Sequence, residues 1–441
     1  MIIDRERALE NVRDGVRPFF RGRVDYVSGV LVEATGVPAA LGEVCSIDRG
    51  KQGSIQAEVV GFRGSTTLLM PHGDLHGVAP QQQVLATGQP FRVAVSDALL
   101  GRMVDGFGIP IDDGPRLQDC ESRPARVDAP SPLARVRIDE PLRTGVRALD
   151  GLTTLGRGQR LGIFAGSGVG KSTLLGQITR GTDADVIICC LVGERGREVR
   201  DFLDNVLGDE GRARAVMVVA TSDRAPIERY AAPFVALTIA EHFRDQGKNV
   251  LMLMDSMTRF AGAAREIGLA AGEPPTVRGY PPSFFATVPK LVERMGQTTA
   301  GSITGLITVL LEGDDANEPV ADTLRGLLDG HLFLSRELAQ RGHFPAIDVL
   351  ASLSRLMPTL VDGDQSEHAK RIRGWLTAYR DGRDLIDIGA YKPGSNPELD
   401  AALQRIPAID AFLQQNEFEY SPFDETLAML KLLTGPLGGE E

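Results

Sequence analysis

The sequence predicts an α/β fold with a mostly parallel sheet, preceded by a small N-terminal β-barrel and followed by a helical C-terminal part. Three observations carry that prediction. An apolar strand, a glycine-rich turn and a helix follow one another without a break from Leu161 to Arg180. Downstream of them, strand-like and helix-like runs alternate from Asp185 to Leu311. Upstream, short apolar stretches alternate with Gly, Pro and Asp turns, and beyond Val361 the strand signals stop.

In chain order, residues 1–23 place Leu9, Val12, Val16, Phe19 and Phe20 roughly on one helix face, and Pro18 ends that helix near Arg17. The face either packs on the next domain or docks a partner helix. Residues 24–92 carry strand signals at Val30–Val32, Ala57–Val60, Thr67–Met70 and Val84–Ala86, the spacing of a small barrel. Gly101–Asp112 is a glycine-punctuated connection, and Asp113–Pro132, rich in Pro, Arg and Asp, an extended linker.

The α/β domain, residues 93–360, has strands at Leu161–Phe164, Asp185–Val192, Ala215–Ala220, Val250–Met254 and Ser302–Leu311. Its helices are expected at Ser172–Arg180, Val199–Val206 and Ile227–Arg244, with a long Gly- and Pro-rich region over Gly268–Pro289. Residues 361–441 are helical, with helices at Gln365–Arg380, Glu398–Leu403 and Asp424–Leu433, and a tail from Gly435 that frays.

Composition narrows the function. Lys plus Arg number 48 against 59 Asp plus Glu, a net charge of −11, which disfavours wrapping of nucleic acid. Aromatic residues are only 5% of the chain, so base-stacking platforms are scarce. Cys45, Cys120, Cys189 and Cys190 form no metal-ligand spacing with the histidines; they read as reduced thiols of a cytoplasmic protein. No run approaches the length of a membrane span and no signal peptide is visible.

The chemistry centres on Ala165-Gly166-Ser167-Gly168-Val169-Gly170-Lys171-Ser172-Thr173, the P-loop pattern with Ala165 at the position usually taken by glycine. Gly166, Gly168 and Gly170 let successive N–H groups point into one concavity for phosphate oxygens, and the new helix adds its positive end. Lys171 can reach the β- and γ-phosphates of ATP, and the Ser172 hydroxyl can hold Mg²⁺. Val250–Asp255 is a hydrophobic strand ending in an acid, which would bring Asp255 to the same metal. Glu194 follows a strand whose C-terminal end faces the ligand crevice; it either polarises the attacking water or caps the next helix. Spacing alone makes Arg355 a surface arginine.

These segments, with Asp245–Val250, Gly268–Ser283 and Asp314–Arg336, closely resemble the type III secretion ATPases, relatives of the catalytic subunits of rotary F-type ATP synthases. The resemblance runs from Gly22 to Leu433, and within the family the flagellar protein-export ATPase looks the closer branch. It implies a RecA-like core, Glu194 as catalytic base, Arg195 as a contact near the phosphates and Arg355 as an arginine finger acting on a neighbouring subunit. Tyr391 is implied against the adenine.

The resemblance also implies a homohexamer at the cytoplasmic face of the inner membrane, peripheral at most. Its partners would be a regulator protein at the N-terminus (Leu9, Val12, Val16), a central stalk protein, chaperone–substrate complexes and the export gate. The rivals are the injectisome branch, a rotary catalytic subunit, a hexameric RNA helicase or terminator, and a nucleotide-binding switch. Acidity and the lack of an aromatic face in Val24–Arg92 argue against RNA.

Overall fold

A small sheet buries one face most completely by closing on itself. In the computed structural model, which describes residues 21–315 and 317–436, six strands do so. They are β1 (Arg21–Ser28), β2 (Leu31–Thr35), β3 (Glu43–Asp48), β4 (Ser54–Arg63), β5 (Thr66–Pro71) and β6 (Gln83–Pro90), closed in the order β1-β2-β5-β4-β3-β6. Val24, Val32, Ile47, Val59, Leu69 and Val84 fill the interior. The helix expected over Leu9, Val12 and Val16 lies outside the described residues, as does the end of the tail.

Leu31, Val44 and Met70 leave the barrel's interior and join the core of the next domain beside Phe91 and Val93. An ion pair between Glu58 of β4 and Arg126 crosses the same boundary. The Arg126 guanidinium also lies 5.3 Å from the Phe234 ring centre, so apolar and charged contacts join barrel and core.

The central sheet has eight main strands: β7 (Met103–Asp105), β8 (Arg160–Ala165), β9 (Val186–Val192), β10 (Ala215–Ala220), β11 (Asn249–Asp255), β12 (Ser302–Leu310), β13 (Gly330–Leu334) and β14 (Ile347–Ser354). Their order across the sheet is β14-β13-β8-β12-β11-β9-β10-β7, every neighbouring pair parallel except β13 and β14. In β9, Ile187, Cys189 and Leu191 enter one core while Ile188, Cys190 and Val192 enter the other. A strand with both faces covered must be apolar throughout, which accounts for the two adjacent cysteines. Helix α1 (Lys171–Gly181) covers one face; α2 (Pro226–Asp245) and α3 (Met257–Ala271) cover the other. The carboxyl ends Ala165, Val192, Ala220, Asp255 and Leu310 therefore line one edge, where such sheets bind ligands.

Helix α4 (Pro282–Val292) precedes β12. The C-terminal part is α5 (Gly363–Asp387), α6 (Pro397–Leu413) and α7 (Phe423–Thr434). It is fastened to the core by hydrogen bonds: Arg147 Nε donates to the Phe412 carbonyl at 2.7 Å, and Gln365 Nε2 to the Asp150 carbonyl at 2.9 Å.

The structure departs from the sequence reading in several places. The Gly268–Pro289 region is loop only over residues 272–281, because Gly272 (φ 90°) closes α3 and Pro282 opens α4 at a position that needs no N–H. Strands β13 and β14, the latter at the sheet's edge, lie between the last expected strand and Val361, where the sequence reading placed none. The glycine-punctuated connection contains the edge strand β7, and the linker contributes Glu121–Pro124, paired with Arg92–Val95. The helix expected at Val199–Val206 is α-helical over Gly196–Asp201, one π-helical turn over Phe202–Leu207, and α-helical again over Gly208–Ala213.

Candidate active site

The P-loop leaves β8 after Ala165 and enters α1 at Lys171. Gly168 (φ 78°) and Gly170 (φ 89°) take left-handed backbone that a Cβ would strain, and this turns the chain tightly enough to expose its amides. Among the described residues, no hydrogen bond engages the N–H groups from Gly168 to Thr173. A row of unused donors at a helix N-terminus is an anion site. Ser172 is exposed at the first turn, while Val169, Leu174 and Leu175 anchor the loop in the core.

Strand β11 lies one strand away from β8, and its last residue, Asp255, is buried. The Lys171 ammonium pairs with Asp255 Oδ1, which also accepts from the Thr308 hydroxyl at 2.7 Å. Glu194 stands on the other side, with Oε1 4.0 Å from Lys171 Nζ. Gly193 (φ 70°) makes the turn that brings Glu194 inward from β9, and the Arg259 stem packs against that glycine. Burial pushes the Glu194 carboxyl up to about 7; a hydrogen bond to Glu198 and the Asp255 charge add to the rise, and Lys171 opposes it. The same hydrogen bond holds Glu198 below the usual carboxylate range.

No group of three or more His, Cys, Asp or Glu side chains among the described residues is arranged to hold a metal by itself. Ser172 and Asp255 offer a hydroxyl and a carboxylate, and no hydrogen bond among the described residues uses Asp255 Oδ2. Hard oxygen donors few in number fit Mg²⁺ arriving with a nucleotide's phosphates.

Lys171, Ser172, Glu194 and Asp255 are thus brought together; three other sequence candidates are not. Arg195 points to solvent, its side chain 77% exposed and 3.8 Å from Glu198. Arg355 follows β14, whose antiparallel register sets Ile347 against Leu334 and Ser354 against Gly330. Since Leu334 neighbours Ala165 and Arg355 lies beside Asp329, Arg355 sits at the opposite edge from the P-loop of its own chain, about 17 Å along the strand direction. There it is exposed; its Nη2 donates to the Arg325 carbonyl at 3.2 Å, and no carboxylate among the described residues pairs with it.

Tyr391, implied against the adenine by the resemblance, makes its hydrogen bonds within the C-terminal part. The loop after α5 folds back so that its hydroxyl lies 2.9 Å from Asp400 Oδ1 and 3.1 Å from the Asn396 carbonyl. The aromatic ring at the P-loop is Phe344, 40% exposed and 3.2 Å from where a Cβ on Gly170 would be. Arg336 donates to the Ser167 carbonyl at 3.3 Å, and Arg180 of α1 holds Phe418 by its ring face at 4.8 Å. An aromatic directly before Pro345 was the available signal for Phe344; nothing local marked Phe418.

This fold and edge define a P-loop ATPase of the rotary class. Residues 145–354 match the ATP synthase alpha/beta family nucleotide-binding domain and residues 26–88 its beta-barrel domain, whereas residues 361–432 match the T3SS EscN ATPase C-terminal domain. The chain is 50% identical over 432 residues to a type 3 secretion system ATPase of Xanthomonas euvesicatoria, covering 97% of each. It is 48% identical to the flagellum-specific ATP synthase of Bacillus subtilis, covering 94% of this chain and 95% of that one. It superposes with a TM-score of 0.87, at 43% identity, on the assembled ATPase EscN of enteropathogenic E. coli in complex with its central stalk EscO, covering 94% of this chain and 100% of EscN. The chain belongs to the family of type III secretion and flagellum-specific ATPases, and it is an ATPase.

Proposed function

We propose that this ATPase energises protein export through a type III secretion apparatus. The observation that carries the reading is the pairing of a rotary-type site, Lys171 between Asp255 and Glu194, with a C-terminal part of the secretion family. A rotary catalytic subunit shares the first but not the second. The flagellar branch is our first assignment. The injectisome branch is the second, since relatives of both kinds stand at 50% identity.

In this mechanism Gly166–Thr173 hold the phosphates of ATP through backbone N–H groups, and Lys171 leaves Asp255 to bind the β- and γ-oxygens. Mg²⁺, held by Ser172 and Asp255, would neutralise charge on those oxygens. Glu194 accepts a hydrogen bond from the attacking water and aligns it. Arg259, which has no carboxylate partner among the described residues, adds positive charge beside Glu194. The adenine lies on Phe344. Arg355, at the wrong edge to serve its own P-loop, completes the site of a neighbouring copy; Arg195 contributes from the rim.

Assembly is proposed as a homohexamer around a central stalk, as EscN assembles with EscO. The regulator would engage residues 1–23, and chaperone–substrate complexes and the export gate would meet the ring at the cytoplasmic face of the inner membrane. Among the described residues no helix is long and apolar enough to cross a membrane, which fits peripheral association.

The test is the steady-state ATPase rate per chain against protein concentration, with and without single-stranded RNA. A steep rise with concentration, indifference to RNA, and loss of export in cells carrying Glu194→Gln support the proposal. A rate near zero at every concentration would mean that another chain completes the site, and RNA stimulation would move the helicase forward.

A further inference from the structure

Behind the helix that carries Glu198 lies a cavity of about 420 Å³, at the outer edge of the central sheet. Its floor is β7 and β10, through Met103 and Met217; its roof is the π-helical turn, through Leu203 and Leu207; Ile111 closes one side. The volume lies in the range of small-molecule sites, and no residue of the proposed chemistry lines it.

We propose that this cavity is an allosteric ligand site for a compact amphiphilic anion: a flat apolar body carrying one acidic group. Side-chain chemistry sets the class. The methionines and leucines give a polarisable apolar wall suited to a flat body. Three arginines and two aspartates, Asp112 and Asp113, line the cavity, and two of the arginines are occupied. Arg102 is held by Asp112, with Nε–Oδ1 2.9 Å, and by the Pro115 carbonyl at 2.8 Å; Arg200 donates to Asp204 at 2.6 Å. Arg212 has no carboxylate within ion-pair distance among the described residues and leaves one cationic group for an acid.

The roof connects the cavity to the P-loop helix. Leu203 and Leu207 face the cavity, while the opposite side of the same turn is held by α1: Arg180 Nη1 donates to the carbonyls of Asn205, at 3.1 Å, and Val206, at 3.0 Å. The turn begins at Phe202, one residue after the short helix that carries Glu198, the hydrogen-bond partner of Glu194. A π turn holds one residue more than an α turn and can be drawn tight or let out, as such insertions at functional sites often are. An occupant pressing on Leu203 and Leu207 shifts the purchase of Arg180 on one side and the Glu198 helix on the other. This transmission rests on the proposed role of Glu194; the site itself does not.

The experiment uses 8-anilinonaphthalene-1-sulfonate, a flat apolar probe with one acid, titrated into the full-length protein with saturating ADP to occupy the P-loop. Arg212→Glu, an exposed position, is expected to weaken binding by about tenfold or more, the loss of one charge-assisted contact. Leu203→Trp, in the cavity roof, is expected to abolish it by filling the space. Binding indifferent to both substitutions overturns the site. In a second arm the probe is expected to change the ATPase rate of the unmodified chain but not of Arg212→Glu. Binding lost in the variants with turnover indifferent to the probe overturns the transmission. A chain without turnover would fail the hydrolysis reading and leave the binding arm intact.

Discussion

Lys171 and Asp255 meet across the strand that separates their own, the ammonium pairing with Oδ1 while the Thr308 hydroxyl donates to the same oxygen. The lysine proposed to bind phosphate is therefore neutralised by Asp255, and in the proposed mechanism ATP competes with a buried carboxylate for it. Lys171→Ala is expected to reduce the ATPase rate by about 10²-fold or more, since it removes the P-loop cation proposed to touch the β- and γ-oxygens. Steady-state phosphate release measures this. The same variant leaves Asp255 without its counter-charge, so a lower Tm accompanies the lost activity.

Glu194, as the proposed base, is expected to set the acid limb of the pH profile. Its carboxyl is raised to about 7, and it must be ionised to accept a proton from water, so kcat/KM is expected to rise with pH through about 7. Glu198→Ala removes a hydrogen bond that raises Glu194, and the limb is expected to move to lower pH. A limb that stays in place in Glu198→Ala would remove Glu198 from this role.

The same shift bears on stability. The folded chain holds the Glu194 proton more tightly than the unfolded chain, so ionising it costs stability as pH rises from the unfolded pKa through about 7. Glu194→Gln is expected to be more stable than the unmodified chain at pH 8, by about 1–3 kcal/mol, and to lose that advantage toward pH 4. Urea unfolding at the two pH values checks the sign.

Arg355→Ala is expected to lower turnover by about 10³-fold while nucleotide binding persists, because the arginine lies at the far edge from its own P-loop. Mixing supplies the sharper measurement. Arg355→Ala chains have an intact P-loop and Lys171→Ala chains an intact arginine, so assemblies of both are expected to recover turnover that neither shows alone. No recovery on mixing would place Arg355 outside the reaction.

Phe344→Ala is expected to raise KM for ATP about tenfold, the scale of one base–aromatic stack, with little change in kcat. Tyr391→Phe is expected to leave both unchanged, since its hydroxyl is engaged by Asn396 and Asp400.

Local chemistry was what the sequence displayed well. Gly166–Thr173, Glu194 and Asp255 each follow an apolar strand within a few residues, and strand polarity then carries them to one edge without further information. Barrel strands showed themselves by their turn residues. Missing from view were contacts made through antiparallel and edge elements. Arg355 depends on the reversal of β14, Phe344 on the loop before it, and Phe418 on Arg180 and the fastening of the C-terminal part by Arg147. The Tyr391 contact was hidden for the same reason: its partner, Asp400, belongs to the next helix.

The placement of the P-loop and Arg355 at opposite edges also has a genetic consequence. Each chain in a closed ring would take part in two active sites, one through Lys171 and one through Arg355. A chain carrying both Lys171→Ala and Arg355→Ala would silence two adjacent sites, so it would act dominantly over a normal copy in the same cell. Inhibition would then grow faster than the mutant's share of the pool, a dose relation that a self-contained active site could not produce.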